Sequence, residues 1–262
     1  QLPSITPVGM ASLVPGAGEQ LRIERTEKGL APVVGDMPVS TVPQRMEIFR
    51  QWYGQRFNEV RLDDFVRGKT TEVADHVDLL VVRSVEIDSH FENNPETAPT
   101  AIGDALKRIR MAIHRLRQQG FNEVVIVTDH GFFMNTHAGA GDVIDKPVGD
   151  WVMVHERCAL GDGSAGDDHV ITDAEKVGVR GDFNRFAAPR SLAAYRAGLA
   201  YYHGGASLQE CVVPVITMQL RSENQPATTR PRVLLDYKNG SRRITTRVPV
   251  IDIAIDSDDL FS

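Results

Sequence analysis

Asp129 and His130 end the stretch Val124-Val-Ile-Val-Thr-Asp-His-Gly131, which places a carboxylate and an imidazole where an apolar strand meets a glycine turn. In α/β enzymes the C-terminal end of a strand is where chemistry is placed. A continuous run of β-branched residues reads as a strand buried on both faces, which would aim the pair rigidly. A carboxylate beside an imidazole suits a hard-to-borderline divalent cation such as zinc. An Asp-His-Gly turn also has an ordinary reading, because aspartate and glycine form turns without any ligand.

Two further positions share that context. Asp88 closes the run Asp78-Leu-Leu-Val-Val-Arg-Ser-Val-Glu-Ile-Asp88, and His203 precedes Gly204-Gly205 ahead of a short helix and the apolar strand Cys211 to Leu220. Asp88-Ser-His-Phe-Glu92 offers three donors, Asp88, His90 and Glu92, which cannot all point inward. Thr6 precedes Pro7, so the spacing predicts a helix N-cap at Thr6 with proline at the first helical position and Pro15 ending the turn. A hydroxyl there would feel free N–H groups and the positive end of the helix dipole.

The elements that would position these groups follow from pattern. Residues 19 to 30 suit a hairpin, and 41 to 57 and 60 to 68 carry helical spacing. The clearest helix runs from 100 to 119, with Ile102, Leu106, Ile109, Ile113 and Leu116 on one stripe and Gly120 as the stop. Flanked by the strands ending near Asp88 and Asp129, it predicts a right-handed parallel crossover that brings both carboxylates to one sheet edge. Phe132 to Leu199 is Gly- and Asp-rich, with a strand expected at 151 to 155 and loop elsewhere. After Pro226, alternating strands at 232 to 237 and 243 to 255 are joined through Asn239-Gly240, a hairpin signal. The expected organisation is therefore a domain over 1–220 and a β-rich segment over 221–262.

Composition narrows the classes. At 262 residues and 42% hydrophobic the chain can bury a sizeable core, and a net charge of -6 argues against a globally basic nucleic-acid surface. Between Arg221 and Arg247 seven basic residues face two acidic ones, a local patch that ordinarily is a solvated strand face. Cys158 and Cys211 share no metal or redox spacing, which fits a reducing cytoplasm. No apolar run approaches the roughly 18 residues of a membrane span. His114 reads as solvated, while His76, His137, His155 and His169 read as surface or supporting residues, and Arg180, Arg185 and Arg190 as ordinary loop arginines.

Taken together, Ser-Ile-Thr-Pro-Val-Gly-Met-Ala-Ser-Leu-Val-Pro-Gly, the Asp-ending strand, Val-Thr-Asp-His-Gly-Phe and Tyr-His-Gly-Gly-Ala-Ser-Leu-Gln-Glu-Cys-Val-Val-Pro-Val resemble the PglZ domain of the alkaline phosphatase superfamily. The resemblance covers roughly residues 1 to 220 in collinear order, and its last block is the most specific. PglZ proteins occur in BREX phage-defence systems and as output domains of some response regulators.

This resemblance implies an α/β fold with a doubly wound, mostly parallel sheet and two metal ions, usually zinc with manganese as the alternative. It implies Thr6 as nucleophile and ligand of one ion with Asp129 and His130, and Asp88, His203 and a residue of the Asp88 loop around the other. Many superfamily members have histidine four residues after that aspartate; here Glu92 stands there and His90 stands two after, and the spacing favours Glu92. The superfamily also carries an aspartate ligand on a strand preceding the threonine helix; this chain begins after that point and reads as a piece of something longer. The implied activity is a phosphodiesterase or phosphatase acting on nucleic acid or nucleotides, with other defence-system proteins as partners and no membrane. The alternative is a phosphatase-like scaffold with vestigial ligands; a sulfatase or phosphomutase would share the metal edge.

Overall fold

A computed structural model describes residues 1–27, 29–68, 73–94, 96–135, 139, 141–164, 166–198, 200–220, 232–237 and 251–256. Contacts divide the chain into Gln1–Leu220 and Arg221–Ser262. The first unit opens with helices α1 (Thr6–Ala11) and α2 (Ala17–Gln20). Ile5, in extended conformation, is the cap of α1, so Thr6 is its first helical residue and Pro7 its second. The expected cap at Thr6 is thus shifted by one, and no side chain caps this end.

A meander follows, β1 (Leu21–Thr26), β2 (Gly29–Val34) and β3 (Met37–Pro38), all antiparallel. Helix α3 (Val42–Tyr53) begins with a capping box in which Thr41 and Gln44 satisfy each other's backbone N–H. Strand β4 (Phe57–Arg61), where the pattern signalled only helices on either side, precedes α4 (Leu62–Val66) and pairs in parallel with β5 (Leu79–Arg83). Beyond β5 the chain turns into helix α5 (Glu86–Asn93). Asp88 therefore lies in the first turn of a helix, not at a strand end.

Helix α6 (Ala98–Gln118) packs on α4 and α5. Its buried positions include Ala98, Ala105, Ala112 and Leu116, whereas Leu106 is 51% exposed. Alanines at helical spacing let the neighbouring helices approach, so the buried stripe is narrower in volume than the large residues alone suggest. Strand β6 (Glu123–Val127) pairs antiparallel with β13 (Val215–Gln219), not with β5. Burial alternates along β6, with Val125 51% and Val127 39% exposed, because one face packs on the α4–α6 core through Val124 while the other does not. The expected strand buried on both faces is thereby corrected.

The Gly-rich middle holds more strand than its composition suggested. After the short β7 (Phe133–Met134), strands β8 (Trp151–Val154), β9 (Ala159–Gly161), β10 (His169–Asp173) and β11 (Arg185–Pro189) form an antiparallel sheet in the order β10-β11-β9-β8. Strand β12 (Tyr201–Tyr202) returns to pair with β7, and α7 (Leu208–Cys211) leads into β13. The chain is mixed α/β as expected. Its described strands form small sheets, mostly antiparallel, and a single doubly wound parallel sheet is not seen among them.

One core joins α1, β1, β2 and the antiparallel sheet through Val8, Ile23, Val34, Leu160 and Phe186. A second gathers Val60, Phe65 and Leu116; burying a phenylalanine such as Phe65, fully enclosed here, contributes about 1.5–3 kcal/mol. A third, smaller one holds Phe91, Ala98 and Tyr201 against Phe132 and Met134. In the second unit β14 (Arg232–Tyr237) pairs antiparallel with β15 (Ile251–Asp256). The Asn239-Gly240 turn and most of the basic stretch lie outside the described residues. No helix among the described residues is long and apolar enough to cross a membrane.

Candidate metal centre

Four segments converge: the start of α1 with Thr6, the first turn of α5 with Asp88, the β6–β7 turn with Asp129 and His130, and the loop after β12 with His203. Gly9 permits this. A Cβ on Gly9 would stand 2.5 Å from the Asp129 carbonyl oxygen and 2.9 Å from Asp129 Cβ, so only glycine lets α1 lie against that turn. On the other side Ser4 and Gly204 form an isolated antiparallel bridge. Gly204 has φ +109, a left-handed conformation that favours glycine, and its N–H donates to Ser4 Oγ at 3.2 Å. Ser4 Oγ donates in turn to Gly205 O at 2.7 Å.

Asp88, Asp129 and His130 each present a ligand atom within 4.8 Å of the others. His130 Nε2 lies 3.3 Å from Asp129 Oδ2, 3.8 Å from Asp88 Oδ2 and 3.1 Å from Thr6 Oγ1. His130 Nδ1 is 3.1 Å from Gly131 O, and His203 Nδ1 is 3.1 Å from Ser4 O. A carbonyl only accepts, so both rings are assigned as Nδ1–H tautomers that present an Nε2 lone pair, the usual arrangement for a metal-ligating histidine. The Thr6 hydroxyl then donates to His130 Nε2.

Electrostatics point the same way. Asp129 Oδ2 is buried and has no hydrogen-bond partner. Burial pushes the Asp129 carboxyl above its ordinary range, His130 opposes this, and the Asp88 charge adds to it. His203, stacked on His130 with centroids 4.2 Å apart and planes 6° apart, is held below the usual imidazole range by burial and then by His130. His155 is pushed down to about 4 by burial, His203 and His130. The pocket thus resists protons on His155 and His203, and beside them a desolvated carboxylate oxygen stands opposite a nitrogen lone pair. Two carboxylates and an imidazole fit a divalent cation, which would satisfy the orphaned Asp129 oxygen.

Of the residues singled out in the sequence, Thr6, Asp88, Asp129, His130 and His203 come together, although His203 meets the group through its ring face. Glu92 stays apart: it lies one turn beyond Asp88 on α5, is exposed, and does not join the three-ligand group. Its charge instead helps raise the carboxyl of Glu156, after burial and against Arg196. Arg180, Arg185 and Arg190 spend donors on the carbonyls of Glu19, Gly163 and Asp167, as ordinary loop arginines do. Of the histidines read as surface or supporting residues, His155 is a supporting one, its ring 5.4 Å from that of His203, and it and His169 each carry a buried Nδ1 without a partner, while His137 lies outside the described residues.

Several residues had no signal in the motifs. The Tyr201 hydroxyl donates to Asp88 Oδ1. The Arg157–Glu210 pair is fully enclosed, with side-chain exposures of 1% and 0%. Glu210 Oε1 accepts from Arg157 Nε and Gly205 N, both at 2.9 Å, and Oε2 accepts from Ser207 Oγ at 2.6 Å and Ser207 N at 3.2 Å. Glu210 O accepts from Gly131 N at 2.9 Å, so one residue braces the turns after both His130 and His203. Ser207-x-x-Glu210 is a readable capping box; its partner Arg157, 53 residues away, is not.

Residues 1–218 match the family described as the BREX system PglZ alkaline phosphatase-like domain. The chain is 25% identical over 255 residues to the alkaline phosphatase-like protein BrxZ of Escherichia coli O9:H4 (strain HS), covering 90% of this chain and 28% of that protein. It is 24% identical over 273 residues to the alkaline phosphatase-like protein PglZ of Bacillus cereus (strain H3081.97), covering 96% of this chain and 30% of that protein. It therefore spans less than a third of the length of either relative. Among solved structures, murine ectonucleotide pyrophosphatase/phosphodiesterase 5, an inactive variant in complex with AMP, matches with a TM-score of 0.41 and 11% identity, over 59% of this chain and 50% of that one. With the match running through both histidine turns and the threonine helix, the chain belongs to the PglZ family of alkaline phosphatase-like domains.

Proposed function

We propose that this chain carries the reactive corner of a metal-dependent phosphodiesterase or phosphatase, with Thr6 as nucleophile and a nucleotide or nucleic acid as the phosphate ester. The observation that carries the reading is the Thr6 hydroxyl held 3.1 Å from His130 Nε2, beside two carboxylates, one of them with an orphaned oxygen. Asp88, Asp129 and His130 would hold a zinc ion, with manganese as the alternative; of the further ligands that the resemblance implies, His203 lies against this group and Glu92 does not. Such an ion supplies charge stabilisation to the phosphoryl oxygens and lowers the pKa of a nearby hydroxyl.

His130 Nε2 has a single lone pair; it accepts from the Thr6 hydroxyl here and would pass to a bound ion, which would leave the Thr6 oxygen free for phosphorus. Attack forms an Oγ–phosphorus bond as the ester bond to the leaving oxygen breaks, and the proton given up by the Thr6 hydroxyl ends on the departing oxygen. Water then cleaves the phosphothreonine and restores the hydroxyl. The family's BREX description supports defence-system partners, and the nucleotide or nucleic-acid substrate is what the resemblance implies.

A second reading, a phosphatase-like scaffold within a defence complex, is favoured by one observation, the exposure of Glu92 away from the ligand group. Turnover of bis-p-nitrophenyl phosphate by the full chain with zinc or manganese separates the two. The enzymatic reading expects Thr6→Ala to abolish turnover while folding and metal uptake persist. Unchanged turnover in Thr6→Ala contradicts it, and alanine at Asp129 and His130 with full defence activity would favour the scaffold.

A further inference from the structure

Asp88 is held by an element that the mechanism above does not use. Tyr201 is 5% exposed, and its ring is wedged among three site-bearing segments. It stacks on Phe91 at 5.2 Å, which lies three residues after Asp88 on α5 and so on the same helix face. It packs at 5.0 Å on Phe132, two residues after His130, and at 5.5 Å on the ring of His203, just past the end of its own strand. From this enclosed position its hydroxyl reaches Asp88 Oδ1, leaving Oδ2 as the oxygen nearest His130 Nε2, at 3.8 Å.

A carboxylate with one oxygen already accepting from a buried O–H is a poorer two-oxygen ligand for one cation, because that oxygen has one lone pair left and its orientation is fixed. That distinction matters chemically. Zinc is satisfied by few ligands and accepts a single carboxylate oxygen beside an imidazole, whereas calcium collects six to eight oxygens and uses carboxylates in pairs. We propose that Tyr201 is a specificity-determining, positioning residue that makes Asp88 a one-oxygen ligand, biasing the centre toward small nitrogen-tolerant cations such as zinc and against calcium. The proposal rests on the metal-centre reading above. It explains why a tyrosine, and not a phenylalanine, stands in an otherwise aromatic cluster: the ring packs, and the hydroxyl selects.

The test compares zinc and calcium binding to the metal-stripped full chain by calorimetric titration, for wild type and Tyr201→Phe, with equal thermal melts required of both apo proteins. Loss of an outer hydrogen bond that orients a ligand weakens metal binding roughly 10–100-fold. The expected result is such a loss for zinc with calcium affinity unchanged or improved, so the zinc-to-calcium ratio falls at least about tenfold. Equal losses for both ions would reduce Tyr201 to a structural role and overturn the proposal, as would no change for either. Wild-type protein that takes up neither ion overturns the metal centre itself, an outcome visible before any variant is made. Should Tyr201→Phe melt early, a double-mutant cycle with Asp88→Asn decides: the proposal expects Tyr201→Phe to add no further zinc loss once Asp88 is neutral, and additive losses refute it.

Discussion

Two buried polar clusters lie back to back across Gly131, and they are satisfied to opposite degrees. In the Arg157–Glu210 clamp, the two carboxylate oxygens accept four hydrogen bonds, while Arg157 also donates to the carbonyls of Ala193 and Ser191 and lies 4.6 Å over the Phe133 ring. In the Asp88–Asp129–His130 corner a buried carboxylate oxygen has no donor and faces a nitrogen lone pair. A closed network of charges is structural: its Coulomb gain and its hydrogen bonds offset its desolvation internally. An open one has the donors that the proposed cation would use. The contrast separates the part of the molecule that holds the site from the part that would do chemistry.

Breaking each cluster should sharpen that contrast. The largest effect is expected at the clamp, where Glu210→Ala or Arg157→Ala leaves an uncompensated buried charge and should cost about 3–5 kcal/mol in denaturant unfolding. Asp129→Asn, at equal burial of the backbone, should leave the metal-free protein as stable or more so, because it removes a desolvated carboxylate. Equal losses in the two experiments would erase the distinction.

Next in size, Gly9→Ala forces a Cβ to within 2.5 Å of the Asp129 carbonyl oxygen, so α1 must shift. Overpacking of this kind costs about 1–3 kcal/mol, and the expected signature is lost zinc affinity and turnover together with the lowered melting temperature. Retained zinc affinity would show that the placement of Thr6 against the β6–β7 turn is not demanding.

The smallest effects lie in pH dependence. Asp129 has a raised folded pKa, so its protonated form favours folding; that contribution is present at low pH and is lost as pH rises through the raised value. Asp129→Asn should flatten this slope in unfolding measured against pH without metal. His155 runs the other way. Its folded pKa is depressed from 6.5 to about 4, so its contribution is full above 6.5 and is lost as pH falls through that window. His155→Phe should remove the acid-side loss, and an unchanged profile would place the titration elsewhere.

These clusters also mark what could be read in the sequence. Asp129, His130 and the His203 turn were legible because strand-end donors and double glycines are local signals, and the long helix was legible from its period. The position of Asp88 is not legible, because the apolar pattern runs on past the end of β5 and Val85 starts helix α5 without any side-chain cap to announce it. Strands β9 to β11 are not legible, because a Gly- and Asp-rich stretch reads as loop, while their pairing is set by tertiary partners such as Phe186 in the first core. Arg157, Tyr201 and His155 gave no signal, since their partners are 53, 113 and 48 residues away and no local spacing encodes such contacts.

The most direct test of the open cluster is zinc titration of the metal-stripped full chain, followed by calorimetry and by thermal melting. The account predicts uptake by the wild type with a melting temperature that climbs with zinc concentration, and a folded Asp129→Asn that loses most of that affinity and of that rise. Absence of zinc uptake by the wild type, or uptake by Asp129→Asn that matches it, would contradict the account.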